Sequence, residues 1–417
     1  MKRYFIKTFG CQMNENDSEK LAGVLEALGF FPTSDYRQAD VILVNTCSVR
    51  DTAERKAAGF IQLLTHLKTK RPDILIGIVG CMAQRQGQDL LKQYRFVDFV
   101  LGPGEADEIS KIVVRNMALT PFPLSQRERG AIKRKPSVRA WIKVMEGCDN
   151  FCSFCIVPYV RGREKSRPVE EVIREVEELD KTVFKEVMLL GQNVNSYRYG
   201  FAELLKKVAG VKGLLRVRFM TSHPKDMNMG IIEAVAQNKI ICESFHLPLQ
   251  SGDNEVLKRM NRGYTREDYR SLVRSIRSRI PDAGITSDVI AGFPGETEEQ
   301  FQNTLDLIEE LELDSVVTAA YDPRPGTQAE KLQCQVTKED KGERLSRLIA
   351  VVERTALKKN KALEGKTLEV LAEEKGFGRT RTNRTVRFTG GSPKRGELVS
   401  VRIGQAGSWV LNGQVDN

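Results

Sequence analysis

The sequence predicts an α/β protein in three parts: an N-terminal open parallel α/β sheet, a central partial (βα)6 barrel and a C-terminal small antiparallel β-barrel. Three observations predict it. Short apolar strands alternate with helical patterns over residues 1–120, strand-then-helix units recur over 134–364, and short strands separated by Gly-rich turns fill 366–417. Strand–helix alternation is typical of parallel sheets, and short strands with tight turns are typical of small barrels.

The N-terminal part begins with a strand at residues 4–9, a helix from about 18 to 28 and a strand at 41–45. A second helix starts near Asp51, because Glu54 three residues later completes a capping-box pattern, and a strand follows at 74–79. The carboxyl ends of such parallel strands meet at one crevice.

The central part contains six candidate strands, each followed by a helical stretch: 140–145, 186–190, 216–220, 245–249, 286–291 and 315–320. In barrels of this kind, ligands bind at the carboxyl ends of the strands. The last part contains four candidate strands: 367–372, 385–388, 398–403 and 409–411. The basic stretch 121–136 lacks periodicity and reads as a linker.

Composition excludes several classes of protein. No apolar run approaches the roughly 18 residues of a membrane helix, and the N-terminus has no apolar stretch typical of a secretory signal. We therefore expect a cytoplasmic protein with no membrane partner. The net charge of +10 favours a polyanionic partner, nucleic acid first. Eight cysteines in 417 residues are too few for a disulfide scaffold and indicate metal binding or catalysis.

The clearest motif is the C-x3-C-x2-C group of Cys148, Cys152 and Cys155, which directly follows a predicted strand. Three thiolates on one loop indicate a metal site. No further cysteine or histidine lies nearby in sequence, which favours a [4Fe–4S] cluster with one open iron. The alternative is zinc with a remote fourth ligand.

A second set consists of Cys11, Cys47 and Cys81, each at the end of a predicted strand. Because parallel strands end at one edge of their sheet, these cysteines can meet and share a second cluster. The alternative is three separately buried cysteines that act as small hydrophobic residues. Cys242 and Cys334 fit neither set, and we expect them to be buried.

GCDNFCSFC resembles the motif of the radical S-adenosylmethionine (SAM) superfamily, with Phe154 in its aromatic position. Together with the N-terminal cysteines and the terminal barrel, it resembles the methylthiotransferase family over essentially the whole chain. The local strings resemble the branch of MiaB type, which acts on N6-isopentenyladenosine at position 37 of tRNA: CQMNENDSE, NTCSVRDTAE, GCMAQR, CIVPYVRGREKSRP, GQNVNSY and HLPLQSGD. Asp322 departs from the family, where we expect Ser.

The resemblance implies an enzyme with two [4Fe–4S] clusters and two SAM molecules per turnover. One SAM yields a 5′-deoxyadenosyl radical at the Cys148, Cys152 and Cys155 cluster, and the other methylates a sulfur held at the second cluster. The implied partners are the tRNA anticodon stem-loop, an electron donor such as flavodoxin or ferredoxin, and a sulfur source. Six residues are expected to contact SAM or lie in its pocket: Phe154, Gln192, Asn193, Ser222, Gln250 and Gly292.

The segment 375–395 carries seven basic residues and no acidic one, with two interleaved aromatic residues. Positive charge for phosphates and aromatic faces for bases favour RNA binding, and the segment resembles a TRAM domain. The alternative is a solvated basic face. The expected RNA contacts are Lys375, Arg379, Arg381, Arg384 and Arg387.

Three other functions stay open from the sequence. Two are methylthiotransferases of the same family, one acting on threonylcarbamoyladenosine in tRNA and one acting on an aspartate of a ribosomal protein. The third belongs to a different class, a non-catalytic RNA-binding protein whose cysteines hold structural metal.

Overall fold

The computed structural model describes residues 1–49, 51–117 and 132–416. By contacts, the chain forms two compact units. The first contains Met1–Lys135 and Ile156–Arg163, and the second contains Pro136–Cys155 and Glu164–Asn417.

Most of the predicted linker lies outside the described residues. Its last basic residues belong to the first unit, where Lys133 pairs with Glu26 at 2.8 Å and Arg134 lies 3.8 Å from Glu19. None of the helices in the described parts of the chain is long and apolar enough to cross a membrane.

The first unit is an open parallel sheet covered by helices. The strand order is β2-β1-β3-β4-β5, with crossovers that keep neighbouring strands parallel. The strands are β1 (Arg3–Thr8), β2 (Phe31–Pro32), β3 (Val41–Thr46), β4 (Leu75–Gly80) and β5 (Phe99–Leu101). The helices are α1 (Gln12–Ala27), α2 (Asp51–Lys70), α3 (Cys81–Gln86), α4 (Gln88–Gln93), α5 (Ala106–Asn116) and α6 (Val157–Arg161). Strands β3 and β4 are buried on both faces, which explains their continuous apolar runs.

Helix α1 begins at Gln12, six residues before the predicted start at 18. The first turns carry polar residues, so they show no apolar periodicity, yet several of these side chains are buried: Asn14, Asn16, Asp17 and Ser18. Asn14, Asp17 and Ser18 are hydrogen-bonded within the unit, and this is why a polar stretch can lie inside the fold.

The second unit contains the six predicted strand–helix pairs, and the predicted partial barrel is confirmed. Two three-stranded parallel sheets meet at a single bridge between Val217 and Ile241. The barrel strands are β6 (Arg139–Lys143), β9 (Glu186–Leu190), β10 (Arg216–Phe219), β11 (Ser244–His246), β12 (Gly284–Ala291) and β13 (Ser315–Ala320), and a small hairpin pairs β7 (Met145–Glu146) with β8 (Lys165–Ser166). The helices are α7 (Val169–Glu177), α8 (Phe201–Ala209), α9 (Met229–Gln237), α10 (Asn254–Arg259), α11 (Arg266–Arg279), α12 (Glu298–Leu311) and α13 (Lys338–Lys361).

The C-terminal part is a closed five-stranded barrel in the order β14-β15-β16-β18-β17. Its strands are β14 (Thr367–Glu374), β15 (Phe377–Thr380), β16 (Thr385–Thr389), β17 (Leu398–Ala406) and β18 (Val410–Val415). β15, a short strand that contains Gly378, was not predicted from the sequence. The predicted small antiparallel barrel is confirmed, with one exception in its pairing: β18 closes the barrel by pairing parallel with β16.

The turn between β15 and β16 packs against the amino ends of the barrel strands. Arg218, which is 1% exposed, donates to the carbonyl oxygens of Thr380 and Arg381, both at 2.6 Å. A Cβ atom at Gly284, the first residue of β12, would lie 2.9 Å from Cβ of Thr382, so only glycine fits there. The turn therefore closes the amino-terminal mouth of the partial barrel, opposite to the end that holds the loop cysteines.

Candidate functional site

The three N-terminal cysteines follow β1, β3 and β4, which are neighbours in the sheet. Cys11 caps α1, Cys47 follows β3 directly, and Cys81 begins α3. A Cβ atom at Gly10 would lie 2.9 Å from Cβ of Cys47, so the first two turns are in contact and require glycine at this point. The topology therefore brings these cysteines together, as parallel strands with adjacent carboxyl ends predict.

A buried amide pair fixes the same edge. The Asn14 side chain donates to Oδ1 of Asn45 and to the carbonyl oxygen of Thr46, both at 3.0 Å. The Asn45 side chain returns a bond to the carbonyl oxygen of Asn14 at 2.8 Å and donates to Oγ of Ser18 at 2.9 Å. Because both asparagines are at most 1% exposed, these bonds are costly to break, and they hold the Cys11 and Cys47 turns at a fixed distance.

Arg161 places a positive charge beside the Cys81 thiol. Its guanidinium donates to Asp17 at 2.9 Å and lies 3.4 Å from Oδ1 of Asn14. Burial raises the pKa of the Cys81 thiol to about 12, Arg161 opposes the rise, and Cys47 and Cys11 add to it. A buried neutral thiol loses its proton when it binds iron, so metal binding and deprotonation are coupled here. Arg161 lies in the string CIVPYVRGREKSRP, and no role was predicted for it from the sequence.

The loop cysteines are held by segments far away in the chain. Arg262 donates to Sγ of Cys152 at 3.2 Å, and Asn150 lies 3.5 Å from Sγ of Cys148. Burial is the main cause that raises the pKa of the Cys148 thiol, and Asn150 opposes it. Both donors face sulfur, which suits a thiolate ligand better than a neutral thiol.

The backbone of this loop is fixed at its centre. Ser153 is held by two hydrogen bonds. Its amide donates to the carbonyl oxygen of Met260 at 3.0 Å, and its hydroxyl donates to the carbonyl oxygen of Arg259 at 2.8 Å. Asn261 donates to the carbonyl oxygens of Asn150 and Phe151, both at 3.1 Å. Phe151 has a φ of 46°, a conformation that costs energy for a bulky residue and persists because these contacts hold it.

Each set of cysteines fits an iron–sulfur cluster. Among the described residues, no three His, Cys, Asp or Glu side chains are grouped as ligands of a single metal ion. In an iron–sulfur cluster each thiolate binds a different iron, so the three sulfurs need not surround one ion. Hydrogen-bond donors that face the sulfurs adjust the reduction potential of such a cluster. The donor chemistry therefore fits a cluster on the loop cysteines and a second one on Cys11, Cys47 and Cys81.

The six residues expected around SAM lie at the carboxyl ends of the barrel strands, but they differ in what their polar groups do. Ser222 is fully buried and its hydroxyl has no partner in the described structure. Gln250 is 8% exposed and its side-chain amide bonds to none of the described residues, while its φ of 68° holds it in a strained turn. Phe154 packs against the small cluster around Phe293 and Tyr321. Ser222 and Gln250 therefore keep hydrogen-bonding capacity for a ligand.

The other three use polar groups within the chain. Gln192 accepts from the amide of Gly147 at 2.7 Å and so positions the start of the cysteine loop. Asn193 donates to Asp226 at 2.7 Å and accepts from the amide of His223 at 3.1 Å. The amide of Gly292 donates to Glu296 at 2.7 Å. Their direct contact with SAM stays a prediction, and their role in this structure is to position neighbouring loops.

His223 was considered only weakly from the sequence, and the structure defines its state. Its Nδ1 accepts from the amide of Lys225 at 3.3 Å, and its Nε2 is buried without a described partner. Burial, with contributions from Arg262 and Lys225, lowers the pKa of His223 to about 2. The ring is therefore neutral and carries its hydrogen on Nε2.

The two remaining cysteines differ. Cys242 is fully buried, as predicted. The prediction for Cys334 was wrong, because Cys334 is exposed on a turn with a φ of 61°. The residues around Cys334 give no sequence signal that distinguishes an exposed turn from a buried loop, and this is why its exposure was not predicted.

Two of the five predicted RNA contacts are committed to the protein itself. Arg381 pairs with Glu243 at 2.7 Å and donates to the carbonyl oxygen of Ile241 at 2.9 Å. Arg384 pairs with Asp314 and donates to Asn360 at 3.0 Å. Both residues were predicted as RNA contacts, and in the structure they instead form contacts between the two barrels.

The other three are more accessible. Lys375 and Arg387 are exposed on the C-terminal barrel, and Arg379 is half-buried 3.4 Å from Glu373. A cavity of about 450 Å³ lies between the two barrels, but several of its charged side chains are already paired, as Lys359 is with Asp314 at 3.0 Å. It lies at the amino ends of the strands and is not the candidate site.

Comparison with known proteins decides the family. Residues 142–308 match the Radical SAM superfamily, and residues 3–102 match a family described as Uncharacterized protein family UPF0004. The tRNA-2-methylthio-N(6)-dimethylallyladenosine synthase of Desulforamulus reducens is 47% identical over 99% of this chain and 95% of its own length. That of Carboxydothermus hydrogenoformans is 45% identical over 99% of both. The chain belongs to this synthase family.

The synthase family assignment confirms the predicted resemblance, the enzyme class and the cofactor classes, iron–sulfur clusters and SAM. The fold is also found in a solved radical S-adenosylmethionine methyltransferase, TsrM of Kitasatospora setae, with a TM-score of 0.61 and 17% identity. That match covers 79% of this chain and 77% of TsrM, and it supports the fold alone.

Proposed function

We propose that this chain transfers a methylthio group to C2 of N6-isopentenyladenosine at position 37 of tRNA. The observation that carries the proposal is the presence of two separate three-cysteine sites, each built into the carboxyl ends of a parallel sheet. The dimethylallyl group in the names of the relatives is the isopentenyl group of this nucleoside.

The chemistry requires a cofactor because the C2–H bond of adenine offers no acidic proton to a general base. Cys148, Cys152 and Cys155 would hold a [4Fe–4S] cluster with one open iron, which when bound would supply the one-electron chemistry that cleaves SAM. Arg262, which donates to Sγ of Cys152, would stabilise the thiolate that binds it. Ser222 and Gln250 orient SAM through their available polar groups.

Cys11, Cys47 and Cys81 would hold the second cluster, which when bound would supply the sulfur chemistry of the transfer. Asn14 and Asn45 keep the three cysteines in register, and Arg161 offsets the negative charge that their thiolates add to a buried site. The two sites thus divide the reaction into radical formation and sulfur delivery.

The exposed basic side chains of the C-terminal barrel bind the anticodon stem-loop of tRNA. Lys375 and Arg387 have no ion-pair partner among the described residues and are available to phosphates. A tRNA substrate also implies a cytoplasmic enzyme, supplied by an electron donor such as flavodoxin or ferredoxin and by a sulfur source.

Two variants separate RNA binding from contacts within the protein. Arg387→Ala should weaken tRNA binding and reduce the slope of log K against log salt by up to about one unit, since it removes one phosphate contact. Arg384→Ala should instead lower thermal stability, because it removes one of the two cations that pair with the buried Asp314 among the described residues. Titration of tRNA at several salt concentrations, with melting curves of both variants, measures the two effects.

Mass spectrometry of tRNA nucleosides tests the function itself. Cells that lack the protein should accumulate N6-isopentenyladenosine and lose its 2-methylthio derivative, and the gene should restore it. Loss of 2-methylthio-threonylcarbamoyladenosine instead would assign the chain to the other tRNA branch. Unchanged nucleosides with an altered ribosomal protein would assign it to the protein-modifying branch.

A further inference from the structure

The concave face of the partial barrel carries polar side chains that the sites above do not use. Val289 and Val316 pack in the core beneath the helices. Successive residues of a strand point to opposite faces, so Asp288 and Val317 face the inside of the barrel, and His246 on β11 does the same.

His246 and Asp288 form a fixed pair on this inner face. His246 lies opposite Thr286 in the parallel register, with Nδ1 3.0 Å from Oγ1 of Thr286. Its Nε2 lies 3.3 Å from Oδ2 of Asp288. Because a carboxylate only accepts, Nε2 carries the hydrogen, and the ring is held from both sides. Asp288 keeps 37% of its side chain exposed and retains acceptor capacity.

An apolar surface lies directly beside this pair. Asp288 and Val317 are register partners on β12 and β13, as are Ile290 and Ala319. Val317 is 54% exposed and Ala319 is exposed too. Aliphatic side chains inside a barrel are normally covered by neighbours, so this uncovered patch next to a carboxylate indicates a ligand of mixed character.

We infer that Asp288, Val317 and Ala319 form the subsite that recognises the modified N6 of the target adenine. N6 of isopentenyladenosine bears one hydrogen and one dimethylallyl group, so its two substituents need an acceptor and an apolar wall side by side. Asp288 accepts a hydrogen bond from N6–H, and Val317 and Ala319 pack against the dimethylallyl group. His246 is a positioning residue that holds the carboxylate. This inference rests on the proposed function and names the residues that read its substrate.

Binding of two RNAs to the full-length, cluster-loaded protein tests the subsite. The probes are fluorescent anticodon stem-loops that carry adenosine or N6-isopentenyladenosine at position 37. The parent should bind the prenylated RNA at least ~10-fold more tightly, since one methylene in an apolar pocket is worth 10-fold or more. Val317→Asp should abolish this preference by lowering the affinity for the prenylated RNA alone, whereas Val317→Ile should preserve the preference.

Further variants guard against trivial effects. Ile349→Asp introduces the same charge at a residue of α13 that is 38% exposed, and it should leave the ratio unchanged. Ala319→Phe fills the patch without charge and should also lower the ratio, so the test survives a misfolded Val317→Asp. Asp288→Ala should weaken both RNAs alike, because both carry a hydrogen on N6.

The outcomes separate the subsite from the function. Equal affinity of the parent for the two RNAs, or a preference kept by Val317→Asp and Ala319→Phe, overturns the subsite even if the parent methylthiolates the prenylated RNA. A parent that binds the prenylated RNA preferentially but transfers no methylthio group to it supports the subsite and overturns the proposed function.

Discussion

The two cysteine sites are built in opposite ways. Cys148, Cys152 and Cys155 lie within eight residues of sequence, and the loop that carries them is pinned from outside by Met260, Asn261 and Arg262. Cys11, Cys47 and Cys81 come from three strand ends and are pinned by the sheet and by buried amides. The loop site is thus a local motif with remote support, and the N-terminal site is a product of the fold. Damage to the fold should therefore affect the two sites differently.

Removal of the loop cysteines should have the largest effect. Cys148→Ala, Cys152→Ala and Cys155→Ala together should abolish both SAM cleavage and methylthio transfer, because the radical source is lost. The variant should keep about four of the parent's roughly eight irons, since each cysteine set holds one four-iron cluster. Iron and labile sulfide analysis of the reconstituted proteins measures this. Four irons or fewer in the parent would contradict the two-site account.

A single glycine should affect the N-terminal site selectively. Gly80 has a φ of 94°, and a Cβ atom there would lie 2.5 Å from Oδ1 of Asn45 and 2.6 Å from the carbonyl oxygen of Thr46. Gly80→Ala should displace both and cost about half the bound iron while SAM cleavage continues. Gly87→Ala is the matched control, because Gly87 also has a positive φ, of 50°, but no neighbour within 4 Å, so the variant carries backbone strain without the steric clash. Equal iron loss in both variants would refute the steric explanation.

Loss of a remote hydrogen bond to the loop site should change the reduction potential of its cluster before it changes the amount of bound iron. Arg262→Gln removes the guanidinium that donates to Cys152, a charge-assisted bond worth about 1.5–3 kcal/mol. Loss of a hydrogen bond to sulfur should shift the cluster potential to more negative values and slow SAM cleavage several-fold. Redox titration followed by electron paramagnetic resonance measures the shift. An unchanged potential with lost iron would mean that Arg262 is purely structural.

The smallest expected effect concerns pH and the second unit. The pKa of His223 is about 2 in the folded chain and near 6.5 when unfolded, so below about pH 6.5 only the unfolded state gains this proton. Stability should therefore fall as pH falls, by up to about 1.4 kcal/mol per pH unit. His223→Gln should flatten the decline in melting temperature between pH 7.5 and 5.5. His66→Gln, at an exposed position in the first unit, serves as the control.

The sequence predicted those parts of the molecule that produce a local sequence pattern. The six barrel strands, the cysteine sets and the open N-terminal sheet were all predicted, because apolar strands and motif spacing are local signals. The start of α1 was not predicted, because its first turns are polar and buried. The pairing of Asn14 with Asn45 was not predicted either, because a hydrogen bond between distant residues gives no local sequence signal.

Charge gave the least reliable prediction for individual residues. Arg381 and Arg384 stand in the same basic run as Lys375 and Arg387, yet the first two meet Glu243 and Asp314 from other parts of the chain. A run of positive residues predicts that a segment is basic, and only the fold determines which side chains stay accessible. Arg161 is the opposite case, since its position beside Cys81 follows from the return of α6 to the first unit.

Product analysis of one N-terminal variant tests the central claim most directly. Cys47→Ala, reconstituted under anaerobic conditions, should form 5′-deoxyadenosine from SAM while it transfers no methylthio group to tRNA. Both products should be measured in one reaction, with the spectrum of the loop cluster recorded beforehand. Retained cleavage with lost transfer is the result that the division of labour predicts. Loss of cleavage while the loop cluster is intact would contradict it, because the radical source would then depend on the sulfur site.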